Sequence, residues 1–540
     1  MPSIKLDGKE IPFEKGDTII RAAWRQGKEI PHYCWHPGLS VAANCRMCLV
    51  EIEPTATRRQ MILDVLVWDA SKQDYVPGKK PKLEPACQVE CIDGMVIKSD
   101  GSPHVDEARK HVQEYLLLNH PVDCPICDQA GECKLQDYWL SEDRSEKRMR
   151  DEIVHKPKAV EFGDTIVYDA ERCIVCTRCV RFMDEVAKDP VLDKRERGNL
   201  SEIVVSPGRK LEGHYTMMTD EVCPVGALTT KDFRFKARVW FLRRVPSVCP
   251  GCATGCNSWL EYDPRTGEVP RLRPRDNEKV NKYWMCDDGI RTHRRVQEQR
   301  VLTASIGKGG ARKPVAPIVA LKAAAEQIKK GRVAVVLSAQ RSTEDNFALA
   351  HLATLFLGVT ELYLARLPDW DGDDILRDKD HNPNVRGARR AAGGAPLRPL
   401  AELAESAVSG QVATVIALGG ISDAGDVTTI GALSKSKVIT LAANEGALTE
   451  IADILLPAAS WAEHDGSFVN RQDLEQHFEA GPRPAGDAIP AWEIVARLGR
   501  LLGHPLPWKT VKDVRAAMKS ASAAPSPPAP SPAPAAAPAE

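Results

Sequence analysis

The sequence carries no excess of either charge. Lys and Arg number 73 against 74 Asp and Glu over 540 residues, a net charge of −1. It lacks the basic field that phosphate backbones attract, so no nucleic-acid partner is expected. It has no run approaching the ~18 apolar residues of a membrane span, and the polar start MPSIKLDGKE has no apolar signal core. The expectation is a chain on the cytosolic side without direct membrane insertion. No cysteine follows Cys286. At roughly 150 residues per domain, the length allows about three to four domains with real hydrophobic cores.

What the sequence does have is sixteen cysteines, all between Cys34 and Cys286. Without an export signal, cytosolic reductants keep thiols free or place them on metal. They fall into four groups.

The first group follows two short alternating runs, Ile4 to Phe13, around Asp7-Gly8, and a helix from a Thr18 cap to Gly27. This is how a β-grasp domain begins. Cys34, the pair Cys45 and Cys48, and Cys87 supply four thiolates from loops, as a [2Fe–2S] cluster needs. A zinc site remains the alternative on spacing alone. The second group, HPVDCPICDQAGEC, follows a helical pattern of Val105, Ala108, Val112, Tyr115 and Leu116. Cys124, Cys127 and Cys133 leave a tetranuclear cluster one ligand short. His120 either supplies an imidazole or merely caps the helix. An imidazole ligand removes a negative charge and raises the reduction potential.

The third group, Cys173, Cys176 and Cys179 with Cys223-Pro224 downstream, has the spacing of the bacterial ferredoxin run. The fourth, Cys249, Cys252, Cys256 and Cys286, also has the spacing of a cubane cluster, with Arg265 to Arg275 read as a solvated loop. Fifteen cysteines and His120 fill four clusters of four ligands. Cys91 is left over as a buried free thiol, or a backup ligand.

The segments PHYCWHPGLSVAANCRMCLVEIE, NHPVDCPICDQAGECKLQD, YDAERCIVCTRCVRF and EVCPVGALT, with the Cys249 to Cys286 set, resemble the large iron–sulfur subunit (the G subunit) of bacterial NADH-quinone oxidoreductase, respiratory complex I. The resemblance implies a [2Fe–2S] cluster on Cys34, Cys45, Cys48 and Cys87, and a [4Fe–4S] cluster on His120, Cys124, Cys127 and Cys133. It implies a further on-path [4Fe–4S] cluster on Cys173, Cys176, Cys179 and Cys223, and an off-path one on Cys249, Cys252, Cys256 and Cys286. Thr55 to Lys82 reads as an inserted hairpin, which leaves Cys91 in competition with Cys87. Arg178 and Arg181 flank Cys179 and read as salt-bridging surface residues, the alternative being cations that lower the cost of a reduced, more negative cluster.

In the second half, Val333 to Leu337, Ala413 to Leu418 and Val438 to Leu441 alternate with helical stretches such as Thr343 to Leu357, the pattern of an α/β domain with a mostly parallel sheet. TEIADILLPAASWAEHDGSFVNRQDLEQ resembles the molybdopterin oxidoreductase fold, here truncated and without a cysteine to hold the metal. No molybdopterin is expected. Gly419-Gly420, after a strand, reads as a plain turn, with a former phosphate contact as the alternative, and Gly307 to Gly310 lacks the preceding strand of a nucleotide loop.

The expected organisation is an α+β multidomain chain. It comprises a β-grasp [2Fe–2S] ferredoxin-like domain at 1–100, a helix with the mixed His/Cys segment at 101–145, and a [4Fe–4S] ferredoxin-like domain at 146–240. A molybdopterin-oxidoreductase-type [4Fe–4S] domain follows at 241–300, then the α/β domain at 301–510 and a Pro/Ala-rich disordered tail at 511–540, most marked from Ala521. The resemblance implies single-electron relay between a flavin-bearing NADH-oxidising subunit and quinone, on the cytoplasmic face of the inner membrane, among other peripheral-arm subunits. The rivals are the iron–sulfur subunit of an NAD-linked formate dehydrogenase or of a hydrogenase, and a zinc-stapled scaffold.

Overall fold

The computed structural model describes residues 2–55, 58–143, 148–420 and 427–523. The chain divides into two compact units, 1–242 and 243–540.

The first unit opens on β1 (Ser3–Leu6) and β2 (Lys9–Pro12), joined at Asp7 and Gly8, both with positive φ as the tight hairpin turn requires. The helix α1 (Ile19–Arg25) buries Ile19, Ile20, Ala22 and Ala23 and ends before Gly27, whose φ of +71° suits a helix stop. Next come β3 (Leu49–Ile52), the long hairpin of β4 (Ile62–Asp69) and β5 (Asp74–Pro81), then β6 (Glu84–Pro85) and β7 (Val96–Lys98). Their sheet runs β2-β1-β7-β3-β6, and β4 pairs only with β5, so the inserted hairpin stands apart from it. Ile4, Leu6, Ile20, Val50 and Ile97 pack the core together with Cys48 and Cys87. The helix α2 (Pro103–Leu117) then leads to the second cysteine loop. The third loop lies between β8 (Ile166–Tyr168) and α3 (Arg178–Glu185), and β9 (Leu228–Thr230) pairs with β8 beyond Cys223.

The second unit begins with a three-stranded antiparallel sheet, β10 (Arg243–Val248), β11 (Asn257–Tyr262) and β12 (Arg271–Pro274). The stretch expected as a solvated loop therefore contains a strand. Arg271 is held there by a 2.6 Å ion pair to Glu261, both side chains mostly buried.

An eight-stranded sheet follows. It consists of β13 (Ser305–Ile306), β14 (Lys313–Pro314), β15 (Val333–Ser338), β16 (Leu362–Ala365), β17 (Leu397–Pro399), β18 (Thr414–Leu418), β19 (Lys437–Ala442) and β20 (Ile454–Pro457), in the order β14-β13-β20-β19-β18-β15-β16-β17. Every pairing from β20 to β17 is parallel. Fully buried runs such as the whole of β18 mark a sheet covered on both faces. A two-residue strand does precede Gly307, contrary to expectation. That glycine closes a tight turn instead, because a Cβ there would sit 2.5 Å from the Ala311 carbonyl.

The segment expected to be a disordered tail starts with a helix, Val511–Ala523. Averaging composition over 511–540 hides its Val514, which is fully buried, and its Arg515, whose Nε lies 2.6 Å from the buried Glu344 Oε1. The rest of the tail, 524–540, lies outside the described residues. Arg515→Met leaves Glu344 as a buried carboxylate without its cation. It is expected to destabilise the second unit by about 3 kcal/mol, read as a lower urea midpoint.

Candidate iron–sulfur sites

Loops carrying the cysteine groups hold several residues in left-handed backbone conformations. In the first, Ala43 and Arg46 have φ of +49° and +61°. The sulfurs of Cys34 and Cys45 share a hydrogen bond, which draws the Cys34 thiol down to about 5 and pushes Cys45 up. Cys48 hydrogen-bonds with Cys87 and is raised well above the ordinary thiol range. The structure thus gathers Cys34, Cys45, Cys48 and Cys87. Cys91 instead packs at the edge of the core, where burial and the nearby Asp17 carboxylate push its thiol up to about 12.

In the second group, Cys124 is exposed, whereas Cys127 is buried and Cys133 half-buried. Burial raises Cys133 to about 11, and the charges of Cys127 and Cys124 add to it. His120 follows α2, its N–H donating to the Leu117 carbonyl. Burial, then the Arg172 guanidinium, depresses its imidazole to about 4. The ring is therefore neutral at physiological pH with a lone pair to offer. Arg172 also acts on Cys127, so His120 and that thiol share one cationic neighbour.

In the third group, Val175 and Thr177 have φ of +53° and +61°. A β-branched residue in the left-handed region is a genuine outlier, and strain of this kind collects at functional loops. It turns the Val175 N–H toward the Cys173 sulfur at 3.3 Å. Burial raises Cys173, to about 11, as well as Cys176, Cys179 and Cys223. In the fourth group all four thiols are buried, and N–H groups of Gly251 and Gly289 point at Cys249 and Cys286, at 3.4 and 3.3 Å. N–H bonds to sulfur favour the thiolate, the form that binds metal.

Three further residues were not legible as site residues. A Cβ on Gly226 would sit 2.2 Å from the Cys127 sulfur, so only glycine fits. On Gly289 it would lie 3.1 Å from the Cys249 sulfur and 3.4 Å from that of Cys286, and on Gly251 3.3 Å from the Cys249 sulfur. The available signal was a glycine two or three residues after a group cysteine. Arg178 and Arg181 are not surface salt bridgers. Arg178 is 8% exposed and donates to the carbonyls of Trp35 and Val222. Arg181 donates to the carbonyls of Ser40, Cys34 and Cys176 and so ties the first loop to the third.

These contacts chain the groups of the first unit together. The charge of Cys34 adds to the burial that raises the Cys176 thiol. The Lys134 N–H, next to Cys133, donates to the Pro224 carbonyl beside Cys223. Among the described residues, no three His, Cys, Asp or Glu side chains close tightly enough to hold a single metal ion. Buried thiols with N–H partners and cradle glycines fit iron–sulfur clusters, which take Cys ligands and are tuned by hydrogen bonds to sulfur.

Known families match the chain in the same order as these features. The "2Fe-2S iron-sulfur cluster binding domain" matches residues 2–102, and the "NADH-ubiquinone oxidoreductase-G iron-sulfur binding region" 109–148. The ferredoxin-like domain of "NADH-quinone oxidoreductase subunit 3" matches 163–229, the "Molybdopterin oxidoreductase Fe4S4 domain" 242–298 and "Molybdopterin oxidoreductase" 385–501. The G subunit of NADH-quinone oxidoreductase from Streptomyces coelicolor is 34% identical over 398 residues, 73% of this chain and 43% of the relative.

The chain resembles the G subunit of NADH-quinone oxidoreductase.

The corresponding subunit of Rickettsia felis is 35% identical over 65% of this chain, and the mitochondrial NADH-ubiquinone oxidoreductase 78 kDa subunit of Neurospora crassa is 38% identical over 54%. The matched region spans 49% and 36% of those two relatives, so the chain corresponds to less than half the length of the relatives it matches. An NAD+-reducing [NiFe]-hydrogenase superposes on 44% of this chain with a TM-score of 0.35 at 24% identity, too loosely to bear on fold or function. No helix among the described residues is long and apolar enough to cross a membrane.

Proposed function

We propose that this chain is the iron–sulfur relay of an NADH-quinone oxidoreductase, carrying single electrons from a flavin-bearing NADH-oxidising subunit toward quinone. The observation that carries the reading is the contiguity of three cysteine groups in the first unit, joined by Arg181, by the Cys34–Cys176 interaction and by the Lys134–Pro224 bond. An iron–sulfur cluster, when bound, takes up and passes on one electron at a time.

In this reading Cys34, Cys45, Cys48 and Cys87 of a β-grasp domain hold one [2Fe–2S] cluster. His120 with Cys124, Cys127 and Cys133, then Cys173, Cys176, Cys179 and Cys223, then Cys249, Cys252, Cys256 and Cys286 hold three [4Fe–4S] clusters. The reading keeps the expected divisions up to residue 510 and adds the helix Val511–Ala523 to the α/β domain. In this reading the molybdopterin-type domain at 385–501 works without a pterin. The partners are other peripheral subunits of the complex, which hold the chain at the cytoplasmic face of the inner membrane.

Purified without oxygen, the protein should be brown, carry about fourteen irons and copurify with a flavoprotein. A colourless, zinc-loaded product would refute the relay. His120→Cys adds a negative ligand and is expected to lower the potential of the second cluster in a potentiometric titration; an unchanged potential would remove His120 from the ligand set.

A further inference from the structure

Tyr168 ends β8, a strand whose three residues are all buried, and is itself 2% exposed. Two contacts fix its ring. One face stacks on Phe162 with centroids 4.5 Å apart, and the hydroxyl oxygen accepts from the Ile203 N–H at 3.0 Å. A phenol carries one proton, kept at neutral pH by an ordinary pKa of about 10, so an oxygen that accepts from the backbone still has a hydrogen bond to donate. A buried donor left unmatched is costly. Here the hydroxyl hydrogen-bonds with the sulfur of Cys173, five residues along the chain.

Cys173 thus takes two donors. The Val175 N–H lies 3.3 Å from its sulfur, and the Tyr168 hydroxyl supplies the other bond. The remaining sulfurs of the group are served by the backbone: the N–H groups of Arg178 and Val180 donate to Cys176 and Cys179, and those of Val225 and Leu228 to Cys223. Backbone donors come with the loop whatever its side chains, whereas a phenol is specified by one position. Packing on Phe162 needs only the ring. The hydroxyl serves the Ile203 N–H and the Cys173 sulfur.

On the relay reading, which makes Cys173 a cluster ligand, we propose that the Tyr168 hydroxyl sets the reduction potential of the third cluster by donating to the Cys173 sulfur. The O–H draws electron density from that sulfur. The reduced cluster carries one more negative charge than the oxidised one and gains more from the bond, so the phenol raises the potential. The buried, weakly polar surroundings strengthen the effect. The sulfurs that act on the phenol, Cys173 and Cys179, both belong to the third group, which confines the tuning to one cluster.

Potentiometric titration of the full-length, anaerobically purified chain, followed by low-temperature paramagnetic resonance, tests it. Tyr168→Phe is expected to shift the reduction equilibrium of the third cluster about tenfold toward the oxidised form, about 59 mV downward for a one-electron couple, with the first and second clusters unmoved. That variant also removes the acceptor of the Ile203 N–H. Replacing Tyr168 by a ring-fluorinated tyrosine keeps that acceptor and makes the hydroxyl a stronger donor, so the same midpoint should rise. A purely structural role produces no such reversal of sign. If Tyr168→Phe loses the third cluster, the sign of the fluorinated shift decides alone. Midpoints of a fully loaded third cluster that are unchanged in both replacements, or displaced in the same direction, would overturn the tuning and leave the relay intact. An unsubstituted chain that holds no reducible third cluster would overturn both.

Discussion

Cys176→Ser is expected to erase one [4Fe–4S] signal from the low-temperature paramagnetic resonance spectrum of the reduced protein and to stop electron transfer from NADH to quinone in the assembled complex. Cys176 is buried among Cys173, Cys179 and Cys223, and the charge of Cys34 in the first group helps raise its thiol. A serine hydroxyl is harder and far less acidic than a thiol, so it does not replace the thiolate that soft iron–sulfur chemistry selects. The position joins two groups, and its loss interrupts the relay at its middle rather than at one end. The remaining cluster signals should persist, which separates loss of one cluster from loss of the fold. Undiminished turnover in a complex lacking that signal would take the third group off the electron path.

The cysteine groups were legible in the sequence because their spacing is local: three thiols separated by two residues each define a loop before any tertiary contact forms. The parallel sheet was legible for a related reason, since each buried strand is a short continuous apolar run. What the sequence hid was non-local. Gly226 reads as an ordinary turn glycine until the Cys127 sulfur, ninety-nine positions earlier, is found against it. The helix Val511–Ala523 disappears into the Pro/Ala composition that follows it, and only its contact with Glu344 shows why it forms. Arg178, flanked by polar residues and a cysteine, looks like surface, but helix α3 turns it inward. Polarity at one position predicts exposure poorly when the neighbouring groups are negative sulfurs.

That inversion makes Arg178 the second large effect. Burial lowers its affinity for a proton, whereas the nearby thiolates of Cys176, Cys223 and Cys34 raise it. Its hydrogen bonds go to backbone carbonyls, and its Nε has no partner among the described residues. The charges that compensate the guanidinium are therefore the sulfurs of the first and third groups. Reduction adds negative charge to such a site, so a buried cation stabilises the reduced form and raises the potential.

Arg178→Met keeps a long apolar stem and removes the charge. Both potentials are expected to fall by tens of millivolts, where about 59 mV corresponds to a tenfold change in a one-electron equilibrium. The second group, whose Cys127 is acted on by Arg172, should move least. Arg178→Lys restores a charge without the planar fork and should recover part of the shift. A purely structural role would instead lower cluster occupancy in both variants and leave the potentials of the remaining clusters unchanged, and that pattern in a potentiometric titration would rule out electrostatic tuning by Arg178.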